Sequence, residues 1–311
     1  MMSIDRSLCL SGKAPRPRVA PLVMLTLIAL AAAGCATTGR TPPPPAYPTA
    51  QEAVAAGDEA ARRGELDRAL AHYLRAADAA SADTEETAEV HAEIWLRVGA
   101  ASDAIGQRDR ALNAYLKAID LDPTRAEAHE GAALDLLARG RSAEAREHLT
   151  AATRLEPRRW RSHNGLGVLA DQAGDHAGAI THYQTALDLK PESPMLLNNI
   201  GYSRFLANDL DQAARDFYAA TELDPNYKPA WSNLGMVYAR RGWYADALAI
   251  LAKVTDEAKA HNDVGAIALA RGDLAEAEGL LSEAVRLSPT YYATANRNLQ
   301  LVRSRLQADG G

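Results

Sequence analysis

Histidine, cysteine and serine side chains are the groups in this chain that could do chemistry, and their spacing decides whether an enzyme is expected. The 311 residues include eight His and two Cys. They contain no HExxH pair, no paired Cys and no serine at a strand-to-helix elbow, and no strand precedes the glycines Gly165 and Gly167. We therefore predict that the chain has no catalytic residues, no metal site and no cofactor.

Three of the histidines occupy a position that holds tryptophan elsewhere. His129, His163 and His261 fall in register with Trp95 and Trp231. Because Trp and His share this position, we interpret it as a packing place between helices, with the histidines as spacers and not as ligands or bases. The acidic runs near 83–86 and 120–122 are interpreted as solvated helix surfaces.

Cys35 follows a segment that has the character of an export signal. Arg16 and Arg18 precede a short apolar run from Val19 to Ala33. Ala32-Ala33-Gly34-Cys35 resembles the lipobox of bacterial lipoproteins, which implies cleavage before the Cys and its acylation. Removal of Cys9 with the signal would leave Cys35 without a disulfide partner. We predict lipidation of Cys35. The alternative is cleavage after Ala31-Ala32-Ala33, which would release a soluble periplasmic protein.

The residues after Cys35 favour a tethered protein. Acyl chains on Cys35 would hold the chain on a membrane, and Ala36 in place of Asp resembles the sorting pattern of outer-membrane lipoproteins. Residues 36–48, ATTGRTPPPPAYP, favour polyproline II and would reach roughly 40 Å. We therefore divide the chain into a signal peptide (1–34), a lipidated Cys with a tether (35–49), a repeat array (50–291) and a capping helix with tail (292–311).

Charge and composition exclude one class of partner. The formal net charge is −6, and the signal carries four basic residues against one acidic residue, so about −9 remains on the rest. An acidic body does not favour binding to a phosphate backbone, so we predict no nucleic-acid partner. Many Ala and Leu with few aromatics favour stacked helices over a sheet or a barrel.

One pattern recurs about every 34 residues and dominates the sequence. Small residues of a first helix recur at Gly99, Ala133, Gly167, Gly201, Gly235 and Gly265. A second helix places Ala at 69, 111, 145, 179, 213, 247 and 277, and a larger residue four positions later at Tyr73, Tyr115, Leu149, Tyr183, Phe217, Leu251 and Leu281. These columns predict helical hairpins whose backbones meet closely.

Turn residues support the same hairpins. Each first helix should end in a left-handed residue at Gly64, Gly106, Gly140, Gly174, Asn208, Gly242 and Gly272. Prolines at 123, 157, 191, 225 and 289 fall where a second helix stops.

These columns resemble a known repeat. Trp231-x-x-Leu234-Gly235-x-x-Tyr238 followed by Ala247 is similar to the tetratricopeptide repeat (TPR) signature. The resemblance covers about seven hairpins and implies an all-α, right-handed solenoid that binds proteins. Ala69 to Ala111 is 42 residues instead of 34, which predicts a longer helix or loop, and Ala247 to Ala277 is 30, which predicts a short second helix in the sixth hairpin. Residues 292–307 read as a capping helix.

The candidate binding surface follows from helical phase on the first helices. The residues that face away from their own second helix form a patch that is apolar in large part, and this patch suggests a groove for an apolar peptide or helix. The predicted peptide-binding residues on the concave face are Met195, Asn198, Asn199, Tyr202, Phe205, Leu206, Asn233, Met236 and Arg240. Arg161, Asn164, Val168, Asp171, Gln172, Leu134 and Leu137 extend this face.

Three alternatives remain for this surface. In tetratricopeptide proteins an Asn at the place of Asn199 and Asn233 commonly hydrogen-bonds a peptide backbone, but the same Asn on a helix surface can bind nothing. Tyr202 and Phe205 can also fill the groove by packing on the next hairpin, or the groove can bind a second copy of the chain. Lys and Arg do not converge on successive first helices, so the resemblance does not extend to a basic clamp for C-terminal carboxylates.

The combination of lipobox, proline-rich tether and seven repeats is similar to the Tad (Flp) pilus assembly lipoprotein, and more distantly to type IV pilotins and to a repeat lipoprotein that docks murein hydrolases. This resemblance implies an outer-membrane-anchored periplasmic scaffold whose partners are envelope proteins, namely a secretin, a pilus component or a wall hydrolase. An adaptor for cell-wall hydrolases and a soluble periplasmic interaction module are the alternatives.

Overall fold

A computed structural model describes residues 49–82, 87–288 and 293–309, and over these ranges the chain forms fifteen α-helices and no strand. The helices are α1 (Ala50–Arg62), α2 (Leu66–Ala82), α3 (Ala88–Ala104), α4 (Arg108–Leu121), α5 (Ala126–Ala138), α6 (Ser142–Leu155), α7 (Trp160–Gln172), α8 (His176–Leu189), α9 (Pro194–Leu206), α10 (Leu210–Leu223), α11 (Lys228–Arg240), α12 (Tyr244–Leu251), α13 (Glu257–Arg271), α14 (Leu274–Leu287) and α15 (Ala293–Asp309). The predicted signal peptide, Cys35 and the predicted tether up to residue 48 lie outside the described residues.

The helices pack as seven antiparallel hairpins in chain order. Each odd-numbered helix up to α13 packs against the helix that follows it, and each second helix packs against the first helix of the next hairpin. This arrangement confirms the predicted α-solenoid of tetratricopeptide hairpins. Apolar clusters join neighbouring hairpins along the array, so no hairpin buries its apolar face alone.

The turns within the hairpins adopt the predicted left-handed conformation at all seven positions. Six of them are glycines with φ between 74° and 88°, and the seventh is Asn208 with φ 64°. A residue without a Cβ adopts this conformation without strain, and Asn is the next most tolerant residue. The prolines at 123, 157, 191 and 225 follow within two residues of the ends of α4, α6, α8 and α10, as predicted.

Close approach of the two helices in a hairpin depends on the small residues that recur in each first helix. A Cβ at Gly99 would lie 2.6 Å from the ring of Tyr115, and the same ring also lies against Gly131 of the next hairpin. Tyr115 is 6% exposed. The larger residue of each second helix therefore fills both the interior of its own hairpin and the seam to the following one.

The two irregular steps in the repeat change helix lengths. The 42-residue step is accommodated in part by α2 and α3, which each have 17 residues. The 30-residue step coincides with α12, which has only eight residues. The capping helix α15 packs on α14, and its Leu299 and Val302 join Leu281 in a buried cluster. None of the described helices combines the length and the hydrophobicity that a membrane span requires.

Candidate functional site

The first helices of successive hairpins form a continuous row. α3 contacts α5, α5 contacts α7, and contacts of the same kind join α9 to α11, α11 to α13 and α13 to α15. The second helices make no comparable contacts with one another among the described residues. We call the exposed side of this row the inner face. All nine predicted peptide-binding residues lie on α9 and α11, two neighbouring helices of the row.

The three predicted asparagines are buried between hairpins. Asn198 is 1% exposed, and its Oδ1 accepts a hydrogen bond of 2.8 Å from Nδ2 of Asn233. Nδ2 of Asn199 donates to Oδ1 of Asn164 at 2.9 Å. These residues differ from the expectation of free amides on the surface, because each amide already has a partner on the neighbouring first helix. The pairs satisfy buried polar groups and fix the register of successive hairpins.

Phe205 also differs from the expectation of exposure. It is 8% exposed and belongs to an apolar cluster with Phe217 of its own hairpin and Leu234 of the next. The Tyr202 ring stacks on it with centroids 6.3 Å apart, and the Arg240 guanidinium lies 5.3 Å from its centroid. The groove is therefore partly self-filled: Phe205 forms its floor, covered by Tyr202 and Arg240.

The remaining residues are accessible and form one patch. Met195, Tyr202 and Met236 are partly exposed, Leu206 is 36% exposed, and Arg240 is exposed. We call these five residues the α9–α11 patch. Met195 and Leu206 lie eleven residues apart on α9, which corresponds to about 16 Å along the helix. The patch is therefore long enough to contact about three turns of a partner helix.

The patch carries one cation at its edge. Nη2 of Arg240 donates to Oδ1 of Asn208 at 3.2 Å, which orients the guanidinium across the turn of the preceding hairpin. Its guanidinium also lies over the Phe205 ring, which forms a cation–π contact with the apolar floor. Arg240 can still donate further hydrogen bonds to a carbonyl or carboxylate of a bound chain.

Asp171 illustrates a pattern that sequence reasoning missed. We expected it to be free on the face that extends from α7. Instead its carboxylate accepts hydrogen bonds from Ser203 at 2.7 Å and from the Tyr183 hydroxyl at 3.2 Å, and its Oδ1 lies 2.9 Å from Nδ1 of His176. The ring of Tyr183 thus passes over the small residue of the first helix, and its hydroxyl group donates to an Asp on the inner face. Tyr73 does the same with Asp58 at 2.8 Å. The sequence contains a signal for this contact, because an Asp follows the small residue of the first helix by one position at Asp58 and by four positions at Asp171.

The residues on α5 and α7 that were predicted to extend the binding face differ in exposure. Leu137 and Val168 are buried at 7% and 8%, contrary to expectation, because they pack within the array. Leu134 and Asn164 are partly exposed, and Arg161 and Gln172 are exposed.

Two of the three histidines in register with Trp231 contact a proline carbonyl, whereas Nδ1 of His261 lies 2.9 Å from the carbonyl oxygen of Glu257 on its own helix. Nε2 of His129 lies 3.1 Å from the carbonyl oxygen of Pro123, and Nε2 of His163 lies 2.9 Å from that of Pro157. Trp231 donates to Pro225 in the same way at 2.9 Å. In the part of the chain that the structure describes, no group of three or more His, Cys, Asp or Glu could hold a metal ion.

Family models match most of the array. Models described as tetratricopeptide repeat match residues 92–125, 130–194, 204–267 and 249–292, which together cover more than half of the chain. No curated protein matches the chain in sequence.

Solved structures share the fold at low identity. A tetratricopeptide repeat protein from Parabacteroides merdae is 16% identical, with a TM-score of 0.57 over 82% of this chain and 98% of its own. The Cut9–Hcn1 hetero-tetramer of the APC/C gives 22% identity and a TM-score of 0.55, covering 82% of this chain and 52% of that one. The structure of Pseudomonas aeruginosa pilF is 18% identical, with a TM-score of 0.52 over 69% of this chain and 97% of its own.

The matched repeats coincide with the hairpins described above, and the similar structures share their stacking. The chain therefore belongs to the tetratricopeptide repeat family, whose arrays of helical hairpins bind partner proteins.

Proposed function

We propose that the α9–α11 patch binds an apolar segment, helical or extended, of a partner protein. The observation that carries this proposal is the accessible set of Met195, Tyr202, Leu206 and Met236 on two adjacent first helices with Arg240 at its edge. Met, aromatic residues and Arg are enriched in protein interfaces. A soluble protein rarely gathers such residues on an open face without a use.

The layer beneath the patch favours binding without rearrangement. The Asn198–Asn233 and Asn164–Asn199 pairs hold adjacent first helices at a fixed spacing, and Phe205 is already packed. A preformed surface loses less side-chain entropy when a partner binds. We therefore assign the asparagines a positioning role and the patch residues the contacts.

Site-specific photo-crosslinking tests this assignment. A photoreactive amino acid replaces Tyr202 or Met236 in cells, and Tyr218 on α10 is the matched control because it is 53% exposed on the second helix of the same hairpin. We expect one discrete protein adduct from positions 202 and 236, identified by mass spectrometry, and none from 218. Adducts at 218 alone, or no adduct at any of the three positions, would reject the patch as the binding surface.

We also propose that the chain is held on the outer membrane through a lipidated Cys35. The lipobox-like Ala32-Ala33-Gly34-Cys35, the apolar run before it and the proline-rich segment after it support this location. Fractionation of cells that express wild type and Cys35→Ser tests it. We expect the wild type in the outer membrane and the variant in the soluble periplasm; equal retention of both in the outer membrane would contradict anchoring.

Within this setting we propose that the scaffold assists assembly of a pilus or secretion complex, with a secretin or a pilus component as its partner. The support is the combined lipobox, tether and seven hairpins. Deletion of the protein should reduce secretin multimers in the outer membrane. Unchanged multimers, together with a wall hydrolase as the crosslinked partner, would favour the adaptor function instead.

A further inference from the structure

Asp135 on α5 is a buried carboxyl group that the proposed binding surface does not use. It is 3% exposed, and its Oδ2 atom has no hydrogen-bond partner. Its Oδ1 lies 3.9 Å from Nη1 of Arg108, which is beyond hydrogen-bond distance. A carboxylate held in this way would lack the hydrogen bonds that normally stabilise a buried charge.

Comparison with the equivalent positions two repeats later shows which residue type Asp135 replaces. In the fourth and fifth hairpins, Asp171 accepts hydrogen bonds from the Tyr183 and Ser203 hydroxyls. Two repeats earlier, 68 residues back in each case, the same three positions hold Asp103, Tyr115 and Asp135. Tyr115 hydrogen-bonds to Asp103, as Tyr183 does to Asp171. Asp135 therefore stands where the fifth hairpin has a hydroxyl donor.

A carboxyl group can take the place of a hydroxyl donor only while it carries its proton, because a carboxylate has no hydrogen to donate. The surroundings favour this neutral form. Burial raises the pKa of Asp135 to about 6, with a further contribution from the negative charge of Asp103. Two carboxylates at close range disfavour each other's ionisation.

The other charges that face Asp135 come from three helices. Arg108 and Asp109 on α4 and Arg139 at the end of α5 act on it with opposite signs, and Arg161 on α7 faces the nearby Tyr115 hydroxyl. Nη1 of Arg139 forms an ion pair with Oδ1 of Asp109 at 2.8 Å. Arg108 forms a long ion pair with Asp135 at 3.9 Å and, like Arg139, lowers the pKa of Asp135, but burial outweighs both cations, and neither donates a hydrogen bond to Asp135 among the described residues.

We propose that Asp135 is a proton switch in the junction between the second and third hairpins: as a neutral acid it completes the Tyr115–Asp103 cluster, and its deprotonation weakens that junction. The direction of the effect follows from linkage. A pKa that is raised in the fold gives stability that is complete below the unfolded value of 3.8 and is lost as the pH rises through about 6.

Urea unfolding of wild type, Asp135→Ser and Asp120→Asn at intervals from pH 4 to pH 7 tests this proposal. Asp135→Ser installs the residue that the fifth hairpin uses, and Asp120→Asn removes an exposed carboxyl from α4 as a matched control. We expect the wild type to lose stability relative to Asp135→Ser as the pH rises, by roughly 100-fold in the folding equilibrium constant. Asp120→Asn should follow the wild type. A constant difference between wild type and Asp135→Ser across this range would overturn the proposal.

A direct titration keeps the proposal testable if Asp135→Ser does not fold. The side-chain carboxyl ¹³C signal of Asp135 in the wild type, assigned by its loss in Asp135→Asn, should titrate near pH 6. Titration of this signal below about pH 4.5, in the ordinary range of an aspartate, would likewise overturn the proposal.

Discussion

At the residue scale, backbone conformation was the most predictable feature of this molecule. The left-handed turn positions followed from a glycine that recurs at the end of each first helix, and Asn208 was predictable as the one substitute. The reason is local: a positive φ disfavours any residue with a Cβ whatever the neighbours are. These turns can therefore be predicted from one sequence without knowledge of how the helices pack.

Two glycine substitutions should have opposite effects for this reason. Gly174 has φ 82°, and a Cβ there would meet nothing within 4 Å, so Gly174→Ala should destabilise the array by about 1–2 kcal/mol through backbone strain alone. Gly279 lies within α14 with equal space around it, so Gly279→Ala should stabilise by about 0.5–1 kcal/mol. Urea denaturation of both variants measures the difference. The same sign for both would contradict the assignment of strain.

A second residue-scale prediction concerns acid. Nδ1 of His129 lies 2.9 Å from Nδ1 of His148, so one of the two atoms must be unprotonated. Burial lowers the pKa of both imidazoles. A lowered pKa gives stability that is present above the ordinary value of about 6.5 and is lost as the pH falls through the folded value.

Substitution of one partner isolates this effect. His148→Gln removes the facing imidazole, so the stability difference between wild type and variant should shrink or reverse between pH 7.5 and pH 5. Paired urea titrations at the two pH values measure it. An equal difference at both values would show that the two rings are not linked to acid stability. The proposed effect of Asp135 has the opposite sign and cancels in this comparison.

Sequence reasoning was less successful for the side chains of the inner face. Helical phase identifies which residues turn away from their own second helix, but it does not reveal contacts with the next first helix. Asn198 is buried by its pairing with Asn233 of α11, and Phe205 is buried in a cluster that joins Phe217 of α10 to Leu234 of α11. The 35-residue spacing of the Asn164–Asn199 and Asn198–Asn233 pairs was present in the sequence, but only the packing of neighbouring hairpins gives that spacing a meaning.

At the element scale, the sequence predicted where the regular hairpin is altered. The short α12 followed from the 30-residue step between Ala247 and Ala277, and a capping helix was predicted over residues 292–307. How the extra residues between the first two hairpins are distributed over α2 and α3 was not predictable, because both a longer loop and longer helices fit the same spacing.

The capping helix should contribute to the stability of the last hairpin. Leu299 is 7% exposed in a cluster with Leu281, so Leu299→Ala should cost about 2–4 kcal/mol. Leu301, two residues later and 44% exposed, is the matched control, and Leu301→Ala should cost less than about 0.5 kcal/mol. Hydrogen exchange should show reduced amide protection of α14 for Leu299→Ala only. Equal protection in both variants would mean that α15 does not cap the array.

At the scale of the whole molecule, the described residues form an array of seven hairpins with the accessible α9–α11 patch on its inner face and buried polar pairs beneath it. The family explains why such an array binds proteins, and the packing explains which part of it is free to do so. Residues that pack between hairpins hold the first helices in place, and the residues left exposed at α9 and α11 are available to a partner.

The most direct test is the affinity of the purified crosslinked partner for three forms of the protein: wild type, Tyr202→Asp and Tyr218→Asp. Tyr202→Asp places a charge in the α9–α11 patch, whereas Tyr218→Asp makes the same change on an exposed position of α10. We expect Tyr202→Asp to weaken binding by roughly 30-fold or more, about 2 kcal/mol, and Tyr218→Asp to leave it unchanged. Equal affinity of the wild type and Tyr202→Asp, with loss of binding in Tyr218→Asp, would contradict this expectation.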